Sequence, residues 1–247
     1  MFTKKSLILA FWLLLLPGIA TASEPDWSSY QAVLSHVKPG IKNGVSLMLV
    51  DYDTIKSNGS LDKAYRELSA FKPEQLAGPE EKLAFYINAY NILALKMAAD
   101  HWPTKSIKDA GSFFSPVWDK PAGELGGKTV TLGEVEHKIL RPMGEPRIHL
   151  AIVCASVSCP DLRSEPYTAA KLNAQLDDQA QKFLDNPGKG LKVEKDSIKI
   201  SKIFDWFEED FEVYGGVRAF LTRYKTDLPE FKIKTQIPYD WAVNSSK

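Results

Sequence analysis

Apolar residues near the start of the folded chain recur at helical spacing. Trp27, Tyr30, Val33, Leu34 and Val37 predict a helix that Pro39-Gly40 ends. Val45–Tyr52 reads as a strand or a tight apolar connector, and Leu61–Phe71 as a helix with Ser60 as its cap. The pattern then changes. Pro79 followed by Glu80-Glu81 is a strong helix start, and the helix runs on to the residues before Pro103. Leu83, Phe85, Ile87, Ile92, Leu93, Leu95 and Met97 surround it on nearly every side, so it is expected to be buried. Asn88 and Asn91 share one face of that helix, where their amides need partners, either neighbouring backbone or a binding site.

Beyond this helix, Ser112–Val130 is rich in Gly and Pro and predicts a β-hairpin or long surface loop with Gly126-Gly127 at its turn. Thr131-Leu132-Gly133-Glu134 is a capping box, so a helix begins at Leu132. At about 100° per residue, Glu136 falls on its apolar face with Leu132, Val135, Ile139 and Leu140, while His137 and Arg141 fall together on the other side. Ile148–Val153 is short and rich in branched aliphatics, which predicts a buried strand carrying His149. Next come a helix over Tyr167–Leu184 and a hairpin of Gly190–Val193 with Ser197–Ile200. A helix over Ile203–Tyr214 follows, its acids Glu208, Glu209 and Asp210 facing solvent. The chain closes with a helix over Val217–Tyr224 and a strand over Phe231–Ile237. Repeats and linkers are missing. The expected fold is a single α+β domain over 23–247, its buried central helix packed on a small, mainly antiparallel sheet.

The first 22 residues change the picture. Lys4-Lys5, the apolar run Leu7–Leu16 and Ala20-Thr21-Ala22 make a signal peptide cleaved after Ala22, which predicts a periplasmic or secreted protein. No later run is long and apolar enough for a membrane segment. The chain is electrically balanced, so it has no footprint for nucleic acid or an anionic membrane surface. Neither a dinucleotide nor a phosphate loop motif occurs, and the four histidines lack zinc-site spacing, so no cofactor and no metal are expected.

The chemistry on offer lies in the stretch RIHLAIVCASVSCP, Arg147–Pro160. Cys159 precedes Pro160, a residue favoured at a helix start, where the dipole would favour a thiolate. Cys159 as nucleophile, His149 as base, Glu136 or Asn91 as orienting group and the N–H groups after Cys159 as oxyanion donors would serve a thiol-dependent hydrolase or acyl transferase. The competing reading is a non-catalytic binding module for a small molecule, peptide or envelope component, with Cys154 and Cys159 in a disulfide that an exported compartment permits.

Five segments in order, KLAFYINAYNILAL, LGEVEHKILRP, RIHLAIVCASVSCPDLR, IFDWFEEDF and IPYDWAVN, resemble the domain-of-unknown-function 547 family over about Leu83 to Asn244. The resemblance marks Asn88, Asn91, Glu136, His137, Arg141, His149, Cys154, Ser158, Cys159, Asp210 and Asp240 as motif positions, with Asn88, Asn91, His137, Arg141 and Ser158 as binding candidates. Ala155 stands where a glycine is common, and Asp161 where a second proline is common. A distant likeness to the papain and transglutaminase architecture is also implied, with Asn88 and Asn91 where those enzymes carry their cysteine.

Overall fold

Helix α4, Pro79–Asp100, is the axis of the molecule in this computed structural model, which describes residues 24–112, 115–235 and 237–247. The signal peptide expected over 1–22 lies outside these residues. Pro79 occupies the first helical position, and the Glu81 carboxylate accepts the backbone N–H groups of Ala77 and Gly78 at 2.9 and 3.4 Å. From Ile87 to Leu95 every residue is buried, which is why this helix shows no polar face. Each fully buried aliphatic side chain there, such as Ile92 or Leu93, stabilises the fold by about 1.5–3 kcal/mol.

Around α4 pack α1 (Ser28–Leu34), α2 (Tyr52–Ser57) and α3 (Ser60–Ala70), each burying one apolar stripe. The α+β class stands, but among the described residues the strands form three small sheets and not one. The first pairs β1 (Val37–Lys42) with β2 (Val45–Val50) through an Asn43-Gly44 turn whose φ angles, 51° and 79°, suit a two-residue hairpin. Pro39-Gly40 therefore lies inside a strand, which a two-stranded ribbon tolerates because both strands are edges. The second pairs β3 (Pro121–Leu125) with β4 (Lys128–Thr131) through the expected Gly126-Gly127 turn. The third has the order β5 (Leu191–Val193), β6 (Ser197–Ile200), β7 (Lys232–Lys234), antiparallel and then parallel.

Three expected elements take other forms. Ile148–Val153 is not a strand: Pro146–Leu150 is a 3-10 helix, opened by the Glu145 carboxylate accepting the Arg147 N–H at 3.0 Å. The run is apolar on both sides because it lies between two clusters, with Ile148, Ala151 and Ile152 in that of α4 and Leu150 in that of Phe183, Phe204 and Phe220. The helix expected from Leu132 starts on its capping box, with Glu134 N donating to Thr131 Oγ1 at 3.0 Å. It widens into a π-helix over Val135–Leu140 and tightens to 3-10 over Arg141–Met143. The helix expected over Ile203–Tyr214 breaks at Phe207 into α7 (Ile203–Trp206) and a 3-10 helix, Glu208–Tyr214. No helix among the described residues is long and apolar enough to cross a membrane.

Candidate active site

The π-helix, the segment from His149 to Pro160, α7 and the C-terminal segment enclose a cavity of about 200 Å³. Glu136, His137, His149, Cys154 and Cys159 supply its polar wall. Trp118, Trp206, Tyr239 and Trp241 line it together with Tyr90 and Phe207. Trp206 is 46% exposed and stacks on Trp241.

Asp210, half-buried behind this lining, organises His149 and Arg141. Its Oδ2 lies 2.7 Å from His149 Nε2 and accepts from Arg141 Nε at 2.7 Å, while Oδ1 accepts from Arg141 Nη2 at 2.8 Å. The Arg141 guanidinium, opposed by partial burial and helped by His149, holds this carboxyl below its ordinary value. The expectation that Asp210 faces solvent is overturned, because the break at Phe207 rotates it inward and leaves Glu208 and Glu209 exposed. The His149 side chain has no exposed surface, and its ring stacks on Phe207 with centroids 3.8 Å apart. Burial pushes its pKa down to about 4, against the upward pull of Asp210, so the imidazole is neutral at neutral pH. The ionised Asp210 accepts a hydrogen bond from Nε2–H, which leaves the Nδ1 lone pair without a hydrogen-bond partner and 3.8 Å from Glu136 Oε1.

Glu136 is buried, as its place on the apolar face required. Burial first, then the charge of Cys154, pushes its pKa up to about 7 against the hydroxyl of Tyr90, 3.4 Å from Oε2, and the charge of Arg141. Between about pH 4 and 7 this pair therefore carries a proton on the carboxyl and none on the facing nitrogen.

Both cysteines are buried free thiols, so the disulfide is not formed. They are neighbours, with the backbone N–H of Cys154 donating to Cys159 Sγ at 2.7 Å. Cys159 does not begin a helix, since residues 160–168 are non-helical, and the oxyanion donors expected after it start with Pro160, which has no N–H. Burial and the neighbouring Cys154 push the Cys159 thiol up. For Cys154, burial also raises the pKa. The neighbouring Cys159, with Ser156 Oγ at 3.2 Å and Tyr239 OH at 3.3 Å, outweighs it and holds the thiol below its ordinary value.

The loop that presents these thiols is held from outside. Val157 N donates to Ala242 O, Ser158 N to Asp240 O and Asn244 N to Ala155 O, while Ser158 Oγ accepts from Asp240 N at 2.8 Å. Ala155 has φ +55°, a left-handed conformation that accounts for the glycine common there. Asp161, at the other departure, pairs with Lys189, whose Nζ is 2.7 Å from Oδ1 and donates to Cys159 O at 2.9 Å. Lys189 is only 1% exposed.

Of the remaining candidates, His137 lines the cavity, with Nδ1 3.3 Å from Arg141 Nη1. Asn88 and Asn91 do not line it. Asn88 spends its amide on the N–H and C=O of Tyr167, and Asn91 on Ala151 O and Val153 N. Asn91 thus supplies the bonds that a neighbouring strand would have given the Ile148–Val153 run. Asp210, Tyr239 and Lys189 escaped a reading based on residue spacing, because each partner is distant in the chain; only the segments IFDWFEEDF and IPYDWAVN marked the surroundings of the first two.

Residues 73–184 match the family model described as "Protein of unknown function, DUF547". The chain carries a DUF547 region. That region includes Glu136, His137, Arg141, His149 and both cysteines, whereas Asp210, Tyr239 and Trp241 lie beyond it, so the cavity joins the DUF547 region to the C-terminal part of the chain. No curated protein and no solved structure matches the chain.

Proposed function

We propose that this DUF547 chain is an exported thiol-dependent hydrolase or acyl transferase, with Cys154 in place of Cys159 as nucleophile. One observation carries the reading: a thiol in contact with the Ser156 and Tyr239 hydroxyls shares a cavity with a buried carboxyl and a histidine oriented by Asp210. A cysteine nucleophile needs its thiolate near neutral pH, and the contacts from Cys159, Ser156 and Tyr239 favour that form at Cys154. The leader over 1–22 supports export.

The test is labelling of the full chain with a thiol-reactive acyl probe, located by mass spectrometry. Labelling is expected on Cys154, with a pH midpoint below the ordinary thiol value, and is lost in Cys154→Ala. Unchanged labelling of Cys154→Ala overturns the reading. The aromatic wall of Trp118, Trp206, Tyr239 and Trp241 favours a second reading, a binding module for a peptide, small molecule or envelope component. In that case Cys154→Ser leaves ligand binding intact.

A further inference from the structure

Thiol chemistry alone does not call for a buried carboxyl, yet Glu136 is only 6% exposed and lines the same cavity. The groups that face it are Tyr90 from α4, His149 from the 3-10 helix, Cys154 from the loop, Arg141 from the end of its own helix and Asp210 across from it. Among the described residues no lysine or arginine lies within ion-pair distance of Glu136, and Arg141 is committed to Asp210 through two hydrogen bonds. A buried carboxyl without a cation holds its proton, and a thiolate at Cys154 strengthens that hold. When the sulfur is ready to attack, the carboxyl beside it is an acid. Behind it, Asp210 fixes the His149 tautomer that turns an unpartnered Nδ1 lone pair toward Oε1.

Resting on the thiol reading, we infer that the cavity is built for an oxygen ester or amide, whose leaving group needs a proton, with Glu136 as the acid for that group and Asp210 positioning it through His149. A thiolate, far less basic than an alkoxide or an amine anion, leaves a tetrahedral intermediate without help. An alcohol or amine needs a proton as its bond to carbon breaks. In the first step the Cys154 sulfur bonds to the carbonyl carbon, the C–O or C–N bond breaks, and the Glu136 proton goes to the departing oxygen or nitrogen. In the second, the Glu136 carboxylate takes a proton from water or an acceptor alcohol as its oxygen bonds to the same carbon. The C–S bond then breaks, which returns the thiolate and the protonated carboxyl.

The test uses one acyl group on three leaving groups, ethyl butyrate, S-ethyl thiobutyrate and p-nitrophenyl butyrate, and measures acylation of the full chain by mass spectrometry. In Glu136→Gln, the ratio of ethyl-ester to thioester acylation is expected to fall about 100-fold or more, the usual worth of a positioned acid, with the p-nitrophenyl ester behaving like the thioester. An unchanged ratio overturns the inference while a thioester adduct on Cys154 keeps the thiol reading. If no donor acylates Cys154, both fall. Asp210→Asn separates positioning from folding. Losing its charge makes Glu136 easier to ionise, so the high-pH limb of ester acylation moves to lower pH. A rate lowered equally at every pH, with the limb in place, overturns the positioning role.

Discussion

Folding moves a proton from His149 to Glu136, and the movement is measurable as stability. In the unfolded chain, between pH 4.5 and 6.5, the histidine is protonated and the carboxyl ionised. In the folded chain, where Glu136 titrates at about 7 and His149 at about 4, the carboxyl holds the proton and the ring is neutral. The pair binds the same number of protons in both states, so wild-type stability has almost no slope from this pair across that window. Each member alone has a large slope of opposite sign. The raised Glu136 pKa adds stability present below 4.5 and lost as pH rises through 7; the lowered His149 pKa adds stability present above 6.5 and lost as pH falls through 4. At about 1.4 kcal/mol for each tenfold change, each contribution is about 3 kcal/mol. Glu136→Gln removes one side of the balance. Relative to wild type it should lose about 3 kcal/mol between pH 6.5 and 4. His149→Gln should show the opposite trend, gaining stability as pH falls from 7 to 4.5. Urea unfolding followed by tryptophan fluorescence across this range measures both. Asp210, held below its ordinary value, contributes at lower pH and is common to wild type and Glu136→Gln, whereas His149→Gln removes the part of its shift that His149 supplies. Parallel profiles for wild type and Glu136→Gln would refute the reasoning, since they would mean that Glu136 is ionised in the folded protein.

Asn91→Ala strips partners from Ala151 O and Val153 N at once and should cost about 2–4 kcal/mol in the same unfolding assay; a loss below about 1 kcal/mol would show that other groups satisfy them. Lys189→Met leaves Cys159 O and the Asp161 carboxylate without their buried cation, with an expected loss of about 2 kcal/mol or more by thermal denaturation. Tyr239→Phe removes a hydrogen-bond donor from Cys154 Sγ, so the pH midpoint of Cys154 alkylation should rise above that of wild type; an unmoved midpoint would place the hydroxyl outside the thiolate's environment.

What could be read from the residues alone was whatever depends on neighbours within a few turns. The start of α4 at Pro79 and its burial on all sides, the Gly126-Gly127 turn and the capping box at Thr131 are local matters, and each was legible. Glu136 was legible for the same reason: it lies four residues past the cap-defined helix start and only at the second residue of the π-helix, where the widening has barely shifted its phase. Ile148–Val153 was misread because burial on two sides looks the same in a strand and in a 3-10 helix, and the bonds that would decide between them come from Asn91, roughly sixty residues away. The nucleophile also depends on distant partners. Spacing placed the thiolate at Cys159 on the strength of a helix that does not form, whereas Tyr239, 85 residues from Cys154, helps lower the other thiol. Sequence by itself determined the α+β class, the buried axis and the residue types near the site. Tertiary structure alone decided which thiol is favoured as an anion and which of Glu136 and His149 carries the proton, because both depend on burial and on charges that the chain brings together only when it folds.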